Sequence, residues 1–295
     1  MEEHKYTEIA PGIWGLKIVF VNIYMIATGP EDWVLVDAGV RGSACRIKKM
    51  AEELFGENNP PAAIVLTHGH FDHIGALHEL LKTWKVQVYA HQQEIPYLTG
   101  RTSFPPADPS VGGGMMSAMS FLYPNSPINL GSRVHTLAKD GTLPNMPDWQ
   151  YIHTPGHTPG HISLFRGRDK VLIAGDAFVT TQAESAFSVL TNKKQISGPP
   201  KYFTPNWVSA ALSVRKLKDL RPAIAATGHG PTMQGEELTS QLERLVDHFT
   251  EIAIPKHGRY VNDGKNGGLS KVILGTVVAL SAILAFTVVR GLKSK

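Results

Sequence analysis

The sequence predicts an α/β protein, an αββα sandwich with helices on the outer faces of two sheets, followed by one C-terminal transmembrane helix. Three observations predict it. Short apolar runs end repeatedly in a polar residue. Amphipathic helical patterns separate those runs. An uncharged apolar stretch closes the chain.

The N-terminal "MEEHKYTEIAPG" has neither a basic segment nor an apolar one, so it does not read as a signal peptide. The strands come next. "WVLVDAG" ends at Asp37, "AAIVLTHGH" at His68 and His70, "VLIAGDAF" at Asp176 and "AIAATGHG" at His229. Each run is short and rich in Val, Ile, Ala and Leu, as strands buried on both faces are. Between them, "CRIKKMAEELFG" reads as a helix closed by Gly56, and "HIGALHELLKTW" as another. "TPNWVSAALSVRKLKDL" reads as a helix with Thr204 as N-cap and Pro205 in the first turn, and "GEELTSQLERLVDHFTEIAI" as a fourth. Residues 99–130 have no strand pattern and are too long for an ordinary connection. They are expected to form a lid or wall, with Met115, Met116 and Met119 as core filler in the alternative reading.

Residues 272–289 are 18 consecutive uncharged residues between Lys271 and Arg290. As a helix they span roughly 27 Å, close to the hydrocarbon thickness of a bilayer. The expected division is a main domain over 1–255, a flexible linker over 256–270, a transmembrane helix over 271–290 and a short basic tail over 291–295. The main domain is expected on the cytoplasmic side of the membrane; the flanking charges leave the orientation open.

The net charge of +4 belongs to the tail: residues 256–295 hold seven Lys/Arg and one acid, leaving 22 basic and 24 acidic groups in the first 255. The main domain therefore has no electrostatic footprint for nucleic acid. The single cysteine, Cys45, excludes an internal disulfide and a cysteine-based zinc site.

"THGHFDHIG" packs His68, His70, Asp72 and His73 into six residues. His68 and His70 alternate, so in an extended backbone both point the same way. Neutral imidazoles and a carboxylate suit zinc or iron. One motif cannot close two sites, and His157, Asp176 and His229, each just after an apolar strand, are the candidates for the remaining ligands.

HxHxDH, then "TPGHTPGH", "GDAF" and "TGHG", in that order and preceded by "VLVDAG", resemble the metallo-β-lactamase superfamily in its two-metal, hydrolase-like form. The resemblance runs from about residue 13 to 250. "GGGMMSAM" and "ISGPPKYFTPNW" are similar to an uncharacterised bacterial branch of it. The resemblance implies two divalent metals, zinc first, with iron or manganese possible. His68, His70 and His157 would hold one, Asp72, His73 and His229 the other, and Asp176 would bridge them. It makes His157 the ligand of "HTPGHTPGH", with His161 orienting the loop and His153 a strand-end residue. Asp37 is expected to accept an N–H from a ligand imidazole. The implied chemistry is hydrolysis of an ester, thioester or lactone by a metal-bridging hydroxide, with Asp72 orienting it and moving its proton. The apolar 99–130 segment suggests an apolar acyl group on a small-molecule substrate.

Departures from the family narrow this. Asp176 stands where the best-known β-lactamases use Cys, and Val179 stands where acyl-homoserine lactonases carry Tyr. Two other readings stay open: a mononuclear iron enzyme similar to persulfide dioxygenases, and a membrane-tethered protein that keeps the fold without the chemistry.

Overall fold

The computed structural model describes residues 6–261. Seven strands form the first sheet: β1 (Tyr6–Ala10), β2 (Ile13–Ile18), β3 (Val21–Ala27), β4 (Trp33–Val36), β5 (Ala63–Val65), β6 (Val88–Ala90) and β7 (Val134–Thr136), side by side in that order. The first four are antiparallel and the rest parallel. The second sheet has β8 (Trp149–His153), β9 (Ile162–Arg166), β10 (Val171–Gly175), β11 (Ile224–Thr227) and β12 (Met233–Gln234), in the order β12-β11-β10-β9-β8.

Alternation along the buried strands produces three apolar layers. Val34 and Val36 of β4 and Val171 and Ile173 of β10 join the layer between the sheets. Trp33 and Leu35 face the first helical layer, α1 (Ala44–Phe55) and α3 (Leu77–Thr83). Leu172 and Ala174 face the second, α7 (Trp207–Asp219) and α8 (Gly235–Asp247). Two apolar faces per strand explain why these runs read as continuous hydrophobic stretches. The remaining helices are short: α2 (Phe71–Ile74), α4 (Ile95–Leu98), α5 (Met115–Ala118), α6 (Ala186–Thr191) and α9 (Phe249–Ile252).

Three helix boundaries differ from the sequence reading. The N-cap of α7 is Asn206, whose side chain accepts from the Ser209 N–H; Thr204 instead donates to the Pro200 carbonyl. The helix expected from His73 to Trp84 breaks between α2 and α3. Gly75 there lies against the backbone of 39–41, and an added Cβ would sit 2.3 Å from the Arg41 nitrogen. The last amphipathic run breaks at His248 into α8 and α9.

The expected membrane helix at 271–290, with most of the linker and the basic tail, lies outside the described residues. Among the described residues no helix is long and apolar enough to cross a membrane. The first linker residues are docked, not loose: the Arg259 N–H donates to Asp108 and the Tyr260 hydroxyl to the Pro106 carbonyl.

Leu164 of β9 is fully buried between the sheets. Leu164→Ala should lower unfolding free energy by about 2–5 kcal/mol in a denaturant titration; a loss below about 1 kcal/mol would contradict its place in the shared layer.

Candidate metal centre

The sandwich brings the C-terminal ends of its buried strands to one edge. Asp37 follows β4, Thr67 and His68 follow β5, Asp176 follows β10 and His229 lies just beyond β11. Backbone bonds stitch the sheets at this edge: the Ile162 N–H donates to the Thr67 carbonyl at 2.9 Å, and the Asn22 N–H to the Gly228 carbonyl at 2.7 Å. Strand ends in α/β folds are where ligands collect.

The motif "THGHFDH" leaves β5 extended and turns into α2 at Phe71, so His68, His70, Asp72 and His73 converge, all buried. The loop after β8 brings His157 in, with its Nε2 2.9 Å from His70 Nδ1 and 3.4 Å from Asp176 Oδ2. His229 Nε2 lies 3.1 Å from Asp176 Oδ2 and 3.5 Å from Asp72 Oδ2. Three groups have ligand atoms within 4.8 Å of one another: His68, His70 and His157; His68, His73 and Asp176; and Asp72, His73 and His229.

The hydrogen bonds behind the rings fix which nitrogen faces inward. His73 Nδ1–H donates to Asp37 Oδ2 at 2.8 Å. Thr67 gives its hydroxyl proton to the same carboxylate, so its oxygen accepts from His68 Nδ1–H at 3.1 Å. Thr204 gives its proton to Pro200, so it accepts from His157 Nδ1–H at 3.2 Å. His229 Nδ1–H donates to the Phe20 carbonyl at 2.8 Å. In each ring the lone pair is thereby left on Nε2, aimed at the centre. There it meets carboxylates and other lone pairs. His68 Nε2, His73 Nε2 and Asp176 Oδ1 are buried without a hydrogen-bond partner among the described residues.

Acceptors facing acceptors in a buried site need protons or cations between them. The acidities follow. Burial, reinforced by neighbouring imidazoles, holds His68 and His157 well below the ordinary histidine range and lowers His70 to about 3. Burial opposes charge on His73 and His229 too, but Asp37, Asp176 and Asp72 outweigh it and raise both. Asp176 is held well below the carboxylate range by His229 and His73, against burial. Neutral His68, His70 and His157, with the positive charge that the carboxylates draw onto His73 and His229, fit a site for a divalent metal, which would take the place of those protons.

Of the other sequence candidates, His161 stands behind the centre. It accepts from the Asp176 N–H through Nε2 at 2.8 Å, and its Nδ1 bonds Thr154 at 2.9 Å. His153 lies outside, bonded to the Pro159 carbonyl and stacked on His91. Gly228, one of the quoted "TGHG" residues, lies so close that a Cβ would sit 2.0 Å from Asp176 Oδ1. Asp37 holds a left-handed φ of 62°, an unusual conformation for a non-glycine residue that places both its oxygens on Thr67 and His73.

Sequence reasoning missed Glu94, which is fully buried. It accepts from the Gly69 N–H at 2.9 Å, between His68 and His70, and from the Gly160 N–H and Thr158 hydroxyl at 2.8 and 2.7 Å, just past His157. One carboxyl ties the two histidine loops together. Its only sequence signal is a carboxylate in an otherwise apolar "EIPYL". Also missed was the aromatic wall. Phe20, Phe71, Tyr123, Pro200, Tyr202 and Phe203 line a narrow cleft of about 10 Å³ with Asp72 and four further polar residues of the centre. The 99–130 segment contributes Tyr123 to it, and Phe104 against the His70 ring at 4.6 Å. Met115 and Met119 are exposed and are not core filler.

Burial pushes Glu94 up to about 7, against its three donors. Between its ordinary value near 4.5 and this one, the folded state holds a proton that the unfolded chain has shed. The group therefore costs stability as pH rises across that window, by at most about 1.4 kcal/mol per unit. Glu94→Gln cannot titrate and should show a flatter loss of stability from pH 5 to 7 in denaturant unfolding, while being less stable at pH 5. An equal pH slope in both proteins would contradict this.

Residues 16–229 match the family described as the metallo-beta-lactamase superfamily. The chain is 45% identical over 247 residues to the probable metallo-hydrolase YflN of Bacillus subtilis (strain 168), covering 83% of this chain and 94% of that one. It is 29% identical over 157 residues to the hydroxyacylglutathione hydrolase GloC of Haemophilus influenzae, 52% of this chain and 65% of that protein. The solved structure of ST1585 from Sulfolobus tokodaii, an archaeal metallo-beta-lactamase superfamily protein, shares the fold with a TM-score of 0.56 at 20% identity, over 88% of this chain and 94% of that one. The chain belongs to the metallo-beta-lactamase superfamily.

Proposed function

We propose that the chain is a metallo-hydrolase that opens an ester, thioester or lactone with an apolar acyl part. The observation that carries the reading is the set of inward Nε2 lone pairs on His68, His73, His157 and His229 around Asp72 and Asp176. His68, His70 and His157 would hold one divalent metal, and Asp72, His73 and His229 a second, with Asp176 between them. Zinc suits this nitrogen-rich set, and iron or manganese are the alternatives. When bound, such metals lower the pKa of water and stabilise negative charge on a carbonyl oxygen.

The chain's own residues do the rest. Asp37, Thr67, Thr204 and the Phe20 carbonyl fix ring tautomers, so the site is organised before substrate arrives. Asp72 sits at the cleft, its carboxyl raised by burial against the pull of His73 and His229. A carboxylate at the cleft is placed to take a proton from the attacking water and pass it to the leaving group. Phe20, Phe71, Tyr123, Tyr202 and Phe203 exclude water from the acyl side. A thioester is within this range, since a relative is a hydroxyacylglutathione hydrolase. We also propose that residues 271–290 tether the domain to a membrane; the support is their uncharged 18-residue core.

A screen of esters, thioesters and lactones, with metal analysis of protein purified without added metal, tests the reading. Two metals per chain and hydrolysis of an acyl substrate are expected. One iron with oxygen consumption, or no turnover by fully metal-loaded protein, would overturn it. Single substitutions should act unequally on metal content. His157→Ala should lose metal and activity, His161→Ala should weaken affinity through Asp176, and His153→Ala should change neither. Asp72→Asn should lower turnover by about 10²–10⁴ at matched metal occupancy; wild-type turnover there would remove Asp72 from proton transfer.

A further inference from the structure

Nine large apolar side chains are exposed among the described residues, and seven of them come from three segments, two of which run directly into cleft residues. Val19 lies in the turn between β2 and β3, beside the cleft residue Phe20. Met115, Met119, Phe121 and Leu122 lie in the 99–130 segment, beside the cleft residue Tyr123. Phe187 and Leu190 lie on α6, with Leu190 80% exposed. The segments touch: the Met116 N–H donates to the Glu184 carbonyl just before α6, and Lys17 Nζ donates to the Val189 carbonyl within it. Exposed apolar side chains on neighbouring segments mark contact sites for a protein or a membrane.

Charge says what covers them. Lys193 and Lys194 follow α6, both exposed, and Lys17 shares a groove with Lys194; of the acids, Glu8 lines that groove and is exposed, while Glu184 just before α6 is buried and hydrogen-bonded. Apolar side chains flanked by lysines match a bilayer with anionic headgroups. The chain's path agrees. Arg259 and Tyr260 are pinned to Pro106 and Asp108, at the base of the segment that carries Phe121. The uncharged stretch 272–289 begins about ten residues further along the sequence.

We propose that this rim is a docking surface for an anionic lipid bilayer, which holds the mouth of the cleft against the membrane. The cleft then receives acyl substrates from the lipid phase, and this last clause rests on the hydrolase reading above.

The test uses residues 1–261, which hold both sheets, the three apolar layers and the whole metal centre, and lack the proposed tether. The fragment is floated with phosphatidylcholine vesicles and with vesicles containing 30% phosphatidylglycerol. Binding to the anionic vesicles is expected. A Phe121→Ser/Leu122→Ser/Phe187→Ser/Leu190→Ser variant should bind at least tenfold more weakly, and Lys193→Glu/Lys194→Glu should also bind more weakly. Circular dichroism and unchanged turnover of a soluble ester show that the variants are folded. A wild-type fragment that stays in solution would overturn the proposal. Binding lost only in the lysine variant would overturn it too. So would self-association that the serine substitutions abolish, without vesicle binding, because the rim would then join two copies. Failure to bind vesicles with esterase activity intact rejects the docking surface alone. Vesicle binding without activity rejects the hydrolase reading alone.

Discussion

The fold is organised around a buried set of acceptors that cannot satisfy one another. Four imidazoles turn their N–H groups outward to Asp37, Thr67, Thr204 and the Phe20 carbonyl, and their lone pairs inward to Asp72 and Asp176. In a low-dielectric interior this arrangement is unfavourable without positive charge. The surrounding structure is built to hold it. Gly228 leaves room for Asp176, Asp37 sits in a left-handed conformation to serve two partners, and His161 grips the Asp176 backbone from behind.

Support comes from both halves of the sandwich, which makes the centre a joint as well as a site. Asp37, Thr67 and the histidines at 68–73 belong to the first sheet's strand ends, while His157, Asp176 and His229 belong to the second's. Glu94 crosses between them and holds the two histidine loops with three hydrogen bonds. Positive charge at the centre would therefore favour closure of the sheets, which brings these side chains together. Metal affinity and folding are coupled in such a site.

The sequence made the centre legible because its histidines and carboxylates sit in short motifs at strand ends, where residue type and position coincide. His68, His70, Asp72, His73, His157, Asp176 and His229 all lie within one buried cluster. The strands were legible because burial on both faces leaves an unbroken apolar run. Thr204 was misread since a Thr-Pro pair has the local chemistry of a cap; a tertiary partner, His157, claims its hydroxyl instead. Glu94 was invisible because its three partners are distant in sequence and two are backbone groups. The break at Gly75 and the aromatic wall depend in the same way on which segments meet, and short-range patterning does not encode that.

The central claim is that positive charge from bound metal relieves the inward acceptors and thereby holds the two sheets together. Thermal unfolding of the purified chain, before and after treatment with a chelator and again after adding zinc, tests it most directly. The account predicts a Tm lowered by several degrees on chelation and restored by the metal, as binding to the folded state alone requires. A Tm that does not move, in protein whose metal content demonstrably changes, would contradict it.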